Sequence, residues 1–307
     1  MIIKRVITDN DGVNIDSEDL AMRIMDDEGL ALIRQYNPDT LNHLPRDHIY
    51  NAFPGTSTDK IVRALIEGDL RLPAGKNPDL GLPLALVSQD CGIDGASVED
   101  VATHIADKIT IATINRFSQE LKSIPGTTQA WAHLSDQLGP ENIALATTSR
   151  GDRMDVSVLH AVDPTTGENA RLHEFFPEGQ RRFSGYGGPN KYDAFFAQSG
   201  WDPAECAIIE DSLSGARYAK AGRPEVSVIG TVAARFYTDQ KAHAAALIEN
   251  GADIVISTMH DLPAAVQWIN DGMTPEKKPE FAGKIYTPRA DGSQPAPVAE
   301  APLPPAV

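Results

Sequence analysis

Two short stretches of this chain set acids in pairs behind apolar runs. VITDNDG places Asp9 and Asp11 around one residue, and IIEDS ends in Glu210 and Asp211. Carboxylates this close repel, so each pair is either a solvated turn or half of a cation site. Two pairs at two strand ends that one sheet could bring together favour the cation. An all-oxygen donor set selects a hard ion, and Mg²⁺ takes one or two carboxylates with water and a phosphate oxygen. A third apolar run, NIALATTSRG, ends in Thr147, Thr148 and Ser149, followed by Arg150 and Gly151. Hydroxyls and backbone N–H groups there can donate to a phosphate. The plain alternative is a helix cap.

The elements that must position these residues follow from the apolar pattern. Runs at 2–8, 142–149, 205–212, 226–232 and 253–258 are rich in Ile and Val, with helix-like segments between them. That alternation predicts an α/β fold with a doubly wound parallel sheet. Such sheets bind ligands at the carboxyl ends of their strands. Asp9, Thr147, Glu210 and Asp211 all fall there. More than 100 residues separate the first two runs, too many for one crossover helix. Helices are expected over 16–36, 57–68 and 97–122, with 70–95 a loop. The chain therefore divides into a core from 1–16 and 119–273, a helical domain at 17–118, and a Pro/Ala-rich tail at 274–307. The tail has too few large apolar residues to fold alone and is expected to be disordered or extended along the surface.

Bulk composition narrows the partners. The 307 residues carry 27 basic and 43 acidic side chains, a net charge of −16. That speaks against nucleic acid and anionic membranes, which need a basic face. A small anionic ligand in a locally positive pocket remains compatible. No apolar run reaches the ~18 residues of a membrane helix, and the N-terminus runs directly into a strand. A cytoplasmic protein, monomer or homodimer, is expected. Cys206 reads as a buried structural thiol, and Cys91 stands in a loop-like stretch. The eight histidines are scattered, with no paired metal-ligand spacing.

These motifs resemble the haloacid dehalogenase superfamily of phosphatases and phosphomutases. Its first motif is an apolar strand followed by Asp-x-Asp-Gly, often running on to Asp-Ser-Glu; this chain reads VITDNDGVNIDSE. Its second ends an apolar strand in Ser or Thr, here Thr147 in IALATTSR. Its fourth ends an apolar strand in two acids, matched by IIEDSLSGARYAKAG. The resemblance spans about residues 1–270 and implies a Rossmann-like core with an inserted helical cap. It implies Asp9 as nucleophile, forming an aspartyl-phosphate. Asp11 would be general acid and then base. Asp9, the main chain of Asp11, Glu210 and Asp211 would hold Mg²⁺, and Thr147, Thr148, Ser149 and Arg150 would meet the phosphoryl group.

The third motif contributes a lysine, and there the sequence departs from its relatives. They commonly read Lys-Pro-x-Pro-Asp, whereas this chain reads FSGYGGPNKYDAFF. Lys191 is the expected residue, with Arg150, Arg181 and Arg182 as spare cations. Asn10 is a second departure, since relatives carry an apolar residue there. NAFPGTSTDK resembles the family's substrate loop, making Gly55, Thr56, Ser57, Lys60 and Arg63 candidates to meet the leaving group. An acid at position 11 argues for phosphoryl transfer from an oxygen ester. β-Phosphoglucomutase-like relatives carry a histidine about a dozen residues beyond the nucleophile, where this chain has Ala21. The resemblance thus implies a Mg²⁺-dependent phosphatase acting on a small phosphorylated metabolite, such as a sugar phosphate or a phosphoglycolate-like ester. The alternatives are a sugar phosphomutase and a non-catalytic binding protein.

Overall fold

A computed structural model describes residues 2–53, 56–179, 181–188 and 190–288. The chain separates into two compact units, Met1–Ser17 with Glu120–Val307, and Glu18–Gln119. The first unit is built on one sheet. Its strands among the described residues are β1 (Arg5–Thr8), β2 (Ile143–Thr147), β3 (Arg182–Ser184), β4 (Cys206–Glu210), β5 (Ser227–Thr231), β6 (Ile254–Ile256) and β7 (Ile285–Tyr286). They lie in the order β3-β2-β1-β4-β5-β6-β7. All neighbours are parallel except β7, which runs antiparallel to β6.

The parallel strands read as continuous apolar runs because helices cover both faces of the sheet. IALAT in β2, CAIIE in β4 and SVIGT in β5 are buried at every position. Ile7, Ile208, Val228 and Val255 stand in one apolar cluster with Tyr192 and Phe195 from the helix Lys191–Ser199. From β1 the chain winds outward through β2 to β3, then returns to place β4 on the other side of β1. The direction of winding therefore reverses between β1 and β4, the position at which open α/β sheets bind ligands.

Two strands were not legible in the apolar runs. β3 is a half-buried triplet, Arg-Phe-Ser. β7 belongs to the stretch expected as tail. There Pro275–Lys277 forms a 3₁₀ turn, Phe281 packs edge-on against Trp268 at 5.8 Å, and Ile285 pairs with Ile256. Residues 274–288 are thus built into the unit, and the rest of the expected tail lies outside the described residues. The buried Asp261 anchors this return by accepting from Ala282 N and Gly283 N at 2.7 and 2.8 Å.

The second unit is helical, with the helices Ser17–Tyr36, His48–Ala52, Thr58–Glu67, Leu84–Asp90 and Val98–Glu120. The seven-residue helix Leu84–Asp90 interrupts the segment expected as loop. A separate apolar core, including Ile33, Ile49, Phe53, Val62 and Val101, holds the unit together. Among the described residues no helix is long and apolar enough to cross a membrane. Both cysteines are free, Cys206 buried and Cys91 half-buried. Burial pushes the Cys206 thiol up to about 12, which suits an inert packing role.

Candidate active site

The register of β1 against β4 brings the two acid pairs together. Thr8 lies beside Ile209, and Asp9 N donates to Ile209 O at 3.0 Å. Asp9 and Glu210, each one residue further on, therefore stand side by side. Asp211 follows at once. One oxygen from each of Asp9, Glu210 and Asp211 lies within 4.8 Å of the others, and all three residues are buried.

The turn after β1 is fastened from below. The Asn10 carbonyl accepts from Val13, Asn14 and Ile15 N at 3.3, 2.8 and 3.2 Å. Asn14 Nδ2 donates to the Asp9 carbonyl at 2.8 Å, and Trp131 Nε1 donates to Asn14 Oδ1 at 2.7 Å. Gly12 has φ +75°, and a Cβ there would lie 1.8 Å from Asp211 Oδ2. Glycine is thus required twice, for its backbone conformation and for the space that Asp211 occupies. The Asn10 side chain does enter the interior. Its Nδ2 donates to Ser157 Oγ at 2.7 Å, while its Oδ1 has no hydrogen-bond partner among the described residues.

Lys191 reaches the acids from the first position of its helix, which Asn190 caps by accepting from Tyr192 N at 2.9 Å. Its Nζ stands 2.8 Å from Asp9 Oδ1 and 2.8 Å from Glu210 Oε1. Tyr192 lies beneath, its hydroxyl donating to Glu210 Oε1 at 2.6 Å. Ser212 occupies Glu210 Oε2 through its hydroxyl and its N–H, at 3.1 and 3.3 Å. Helix Leu213–Lys220 packs so closely that a Cβ at Gly215 would fall 2.1 Å from the Glu210 carboxylate.

Electrostatics follow from burial. Burial lifts the Asp9 carboxyl to about 7, with Glu210 and Asp11 adding to the rise and Lys191 opposing it. Asp211 is raised well above the usual range by burial and by its acidic neighbours. Burial alone would discharge Lys191, but Asp9 and Glu210 outweigh it and move its pKa upward. With one ammonium among three buried carboxyl groups, Asp9 and Asp211 are pushed toward their protonated forms, and a cation would take the place of those protons. A divalent cation fits this all-oxygen donor set.

Asp11 is treated differently. Burial would raise its carboxyl, yet Arg153 and hydrogen bonds from Ser149 and Ser17 hold it below the ordinary carboxylate range. Arg153 Nη2 lies 2.9 Å from Oδ1, which also accepts from the Ser17 hydroxyl; Ser149 Oγ donates to Oδ2 at 2.6 Å. The Asp11 carboxylate thus faces these donors and stands outside the acid cluster, so a contribution to a cation would come through its main chain.

At the end of β2, buried Thr147 turns its Oγ1 to accept from Ser149 N at 3.1 Å. Thr148 is exposed. Arg150 pairs with Asp152 at 2.9 Å, Arg182 with Asp155 at 2.7 Å, and Arg181 reaches the Pro140 carbonyl. The three arginines held as spare cations are therefore engaged elsewhere, and Arg153, which was not singled out, takes the position beside Asp11. In sequence it differs from Arg150 only by lying three residues later. In the second unit, Thr56 accepts from Arg71 at 3.4 Å, exposed Ser57 precedes the helix Thr58–Glu67, and Arg63 pairs with Glu99. Gly55 lies outside the described residues.

No known family profile and no curated protein matches the sequence. Solved structures do match. A haloacid dehalogenase family hydrolase from Deinococcus radiodurans R1, with bound phosphate and sodium, aligns at TM-score 0.50 and 19% identity, covering 88% of this chain and 96% of that one. CbbY from Rhodobacter sphaeroides, in complex with phosphate, aligns at TM-score 0.50 and 20% identity over 85% and 96%. The chain has the haloacid dehalogenase fold. A predicted phosphoglycolate phosphatase from Haemophilus somnus 129pt shares that fold at TM-score 0.50 and 12% identity, over 86% and 98%. Within the haloacid dehalogenase fold of this chain, the acid cluster occupies the reversal point between β1 and β4.

Proposed function

We propose that this chain is a Mg²⁺-dependent phosphatase that hydrolyses a small phosphomonoester, such as a sugar phosphate or phosphoglycolate-like ester, through an aspartyl-phosphate on Asp9. The observation that carries the reading is the Lys191 ammonium shared by Asp9 and Glu210, 2.8 Å from each, with Asp211 completing the cluster. Two proteins of the same fold hold phosphate in their structures, which supports a phosphorylated ligand.

Asp9, Glu210 and Asp211, with the main chain of Asp11, would hold the metal. Bound Mg²⁺ would supply positive charge that offsets the repulsion between a carboxylate nucleophile and a phosphate. An Asp9 oxygen attacks phosphorus, and the bond from phosphorus to the leaving oxygen breaks. Lys191 neutralises Asp9 and the transferring group, while Thr147 and Ser149 donate to the phosphoryl oxygens. Asp11 gives its proton to the leaving oxygen, then takes one from the water that opens the acyl phosphate and restores Asp9. The resting geometry, with Asp11 accepting from Arg153, Ser17 and Ser149, suits the base half of that cycle. The acid half begins when substrate draws donors away from one Asp11 oxygen and that oxygen takes a proton.

The test is turnover of p-nitrophenyl phosphate with Mg²⁺ by wild type and Asp9→Asn. The variant should lose activity by at least three orders of magnitude, as expected when a covalent nucleophile is removed. Equal turnover would end the proposal. On a panel of phosphorylated metabolites, free phosphate without isomerised product separates hydrolysis from phosphomutase activity.

A further inference from the structure

Asp211 is gripped on one flank by two residues that follow β5. The Tyr237 hydroxyl donates to Asp211 Oδ2 at 2.6 Å. His243, from the helix Gln240–Glu249, donates from Nε2 to the Asp211 main-chain carbonyl at 2.7 Å. The two rings stack with centroids 3.9 Å apart and planes inclined by 16°, so His243 backs the ring that carries the hydroxyl. Gly12 closes over the same oxygen, since a Cβ there would lie 1.8 Å from Oδ2. Oδ2 is therefore committed to the protein, and Oδ1 is the oxygen left for a cation shared with Asp9 and Glu210.

We propose that Tyr237, seated by His243, confines Asp211 to one-oxygen coordination and so biases the site toward Mg²⁺ over Ca²⁺. This inference rests on the cation-site reading above. Mg²⁺ demands a near-regular octahedron at about 2.0–2.1 Å, whereas Ca²⁺ takes more oxygens at about 2.3–2.6 Å and accepts both oxygens of one carboxylate. With a hydroxyl already on Oδ2, two-oxygen binding breaks a part-buried hydrogen bond to a charged group. That penalty falls on Ca²⁺ and spares Mg²⁺. Tyr237 and His243 touch the ligand and not the ion, so both are positioning residues. Partners of this kind commonly shift metal affinity about 10- to 100-fold.

Calorimetric titration of chelator-stripped full-length protein with MgCl₂ and with CaCl₂ tests the proposal. Wild type, Tyr237→Phe and His243→Gln would be compared, with a melting curve for each. Tyr237→Phe should lower the Mg²⁺/Ca²⁺ affinity ratio about tenfold, and His243→Gln should move it the same way by less. An unchanged ratio in Tyr237→Phe overturns the inference. So does an equal loss of both affinities, which is what a merely structural role would give. Should Tyr237→Phe not fold, the ratio in His243→Gln decides by the same criterion. Wild type that binds neither ion removes the cation site itself, whereas wild type that binds Mg²⁺ beside an unaltered Tyr237→Phe ratio sinks only the inference.

Discussion

Lys191 holds the acid cluster together in the metal-free protein. It is 5% exposed, and its ammonium is the counter-charge to Asp9 and Glu210 at 2.8 Å each. Removing one member of a buried ion pair strands the other charge and typically costs ~3–5 kcal/mol. Lys191→Met should therefore destabilise the metal-free protein by about that amount near neutral pH, with Mg²⁺ restoring part of the loss. Denaturant unfolding with and without Mg²⁺ measures both, and a loss unaffected by the metal would count against the cluster as a cation site. The same residues set a pH dependence. Burial holds the Asp9 carboxyl at about 7 in the folded protein, well above its ordinary value of 3.8. Between these values the folded state binds more protons than the unfolded one, so stability falls as pH rises. Asp211, raised by burial, acts in the same direction. Asp11, held low, has the opposite sign and loses its contribution as pH falls. Chelator-treated protein should thus lose melting temperature as pH is raised from about 4 to about 7. Saturating Mg²⁺ should flatten that slope, and Asp9→Asn should reduce it.

Element boundaries explain what the sequence made legible. Long Ile/Val runs revealed β1, β2, β4, β5 and β6 because a fully buried strand must be apolar at every position. The acid pairs were readable because each closes such a run. β3 and β7 gave no comparable signal: one is a half-buried triplet and the other a pair at the sheet edge, both too short for periodicity to show. Arg153 stayed hidden for a related reason. Its partner Asp11 is 142 positions away, and only the exact start of the helix Gly151–His160 decides which arginine turns toward it. Asn10 was legible as a polar residue where relatives carry an apolar one, but its partner Ser157 was not. At this scale Asp261 is the residue to test. Its two oxygens accept the N–H groups that lead into β7. Asp261→Ala should cost about 1–3 kcal/mol, the penalty for leaving buried donors unmade. Hydrogen exchange should quicken at Ile285 and Tyr286 while β1 and β4 stay protected. Uniform protection across the sheet would mean that β7 is held by other contacts.

The whole molecule comprises two units, each with its own apolar core. Every residue of the acid cluster, and every partner that positions it, belongs to the unit containing the sheet. The ends of that unit's two segments are already joined: Asp16 N donates to Lys122 O at 2.9 Å, and Ile15 bridges to Ser123. A short flexible linker in place of 18–119 would therefore close a gap that the fold already spans, and loop closure of this kind costs little. A domain with its own core can fold alone. The excised sheet unit should unfold in one cooperative transition and keep Mg²⁺ affinity close to that of the intact chain. Circular dichroism melts and calorimetry would measure the two properties separately. A folded excised unit that binds no Mg²⁺ would show that the cation site depends on residues 18–119. An excised unit without a cooperative transition would show that the two cores are not independent.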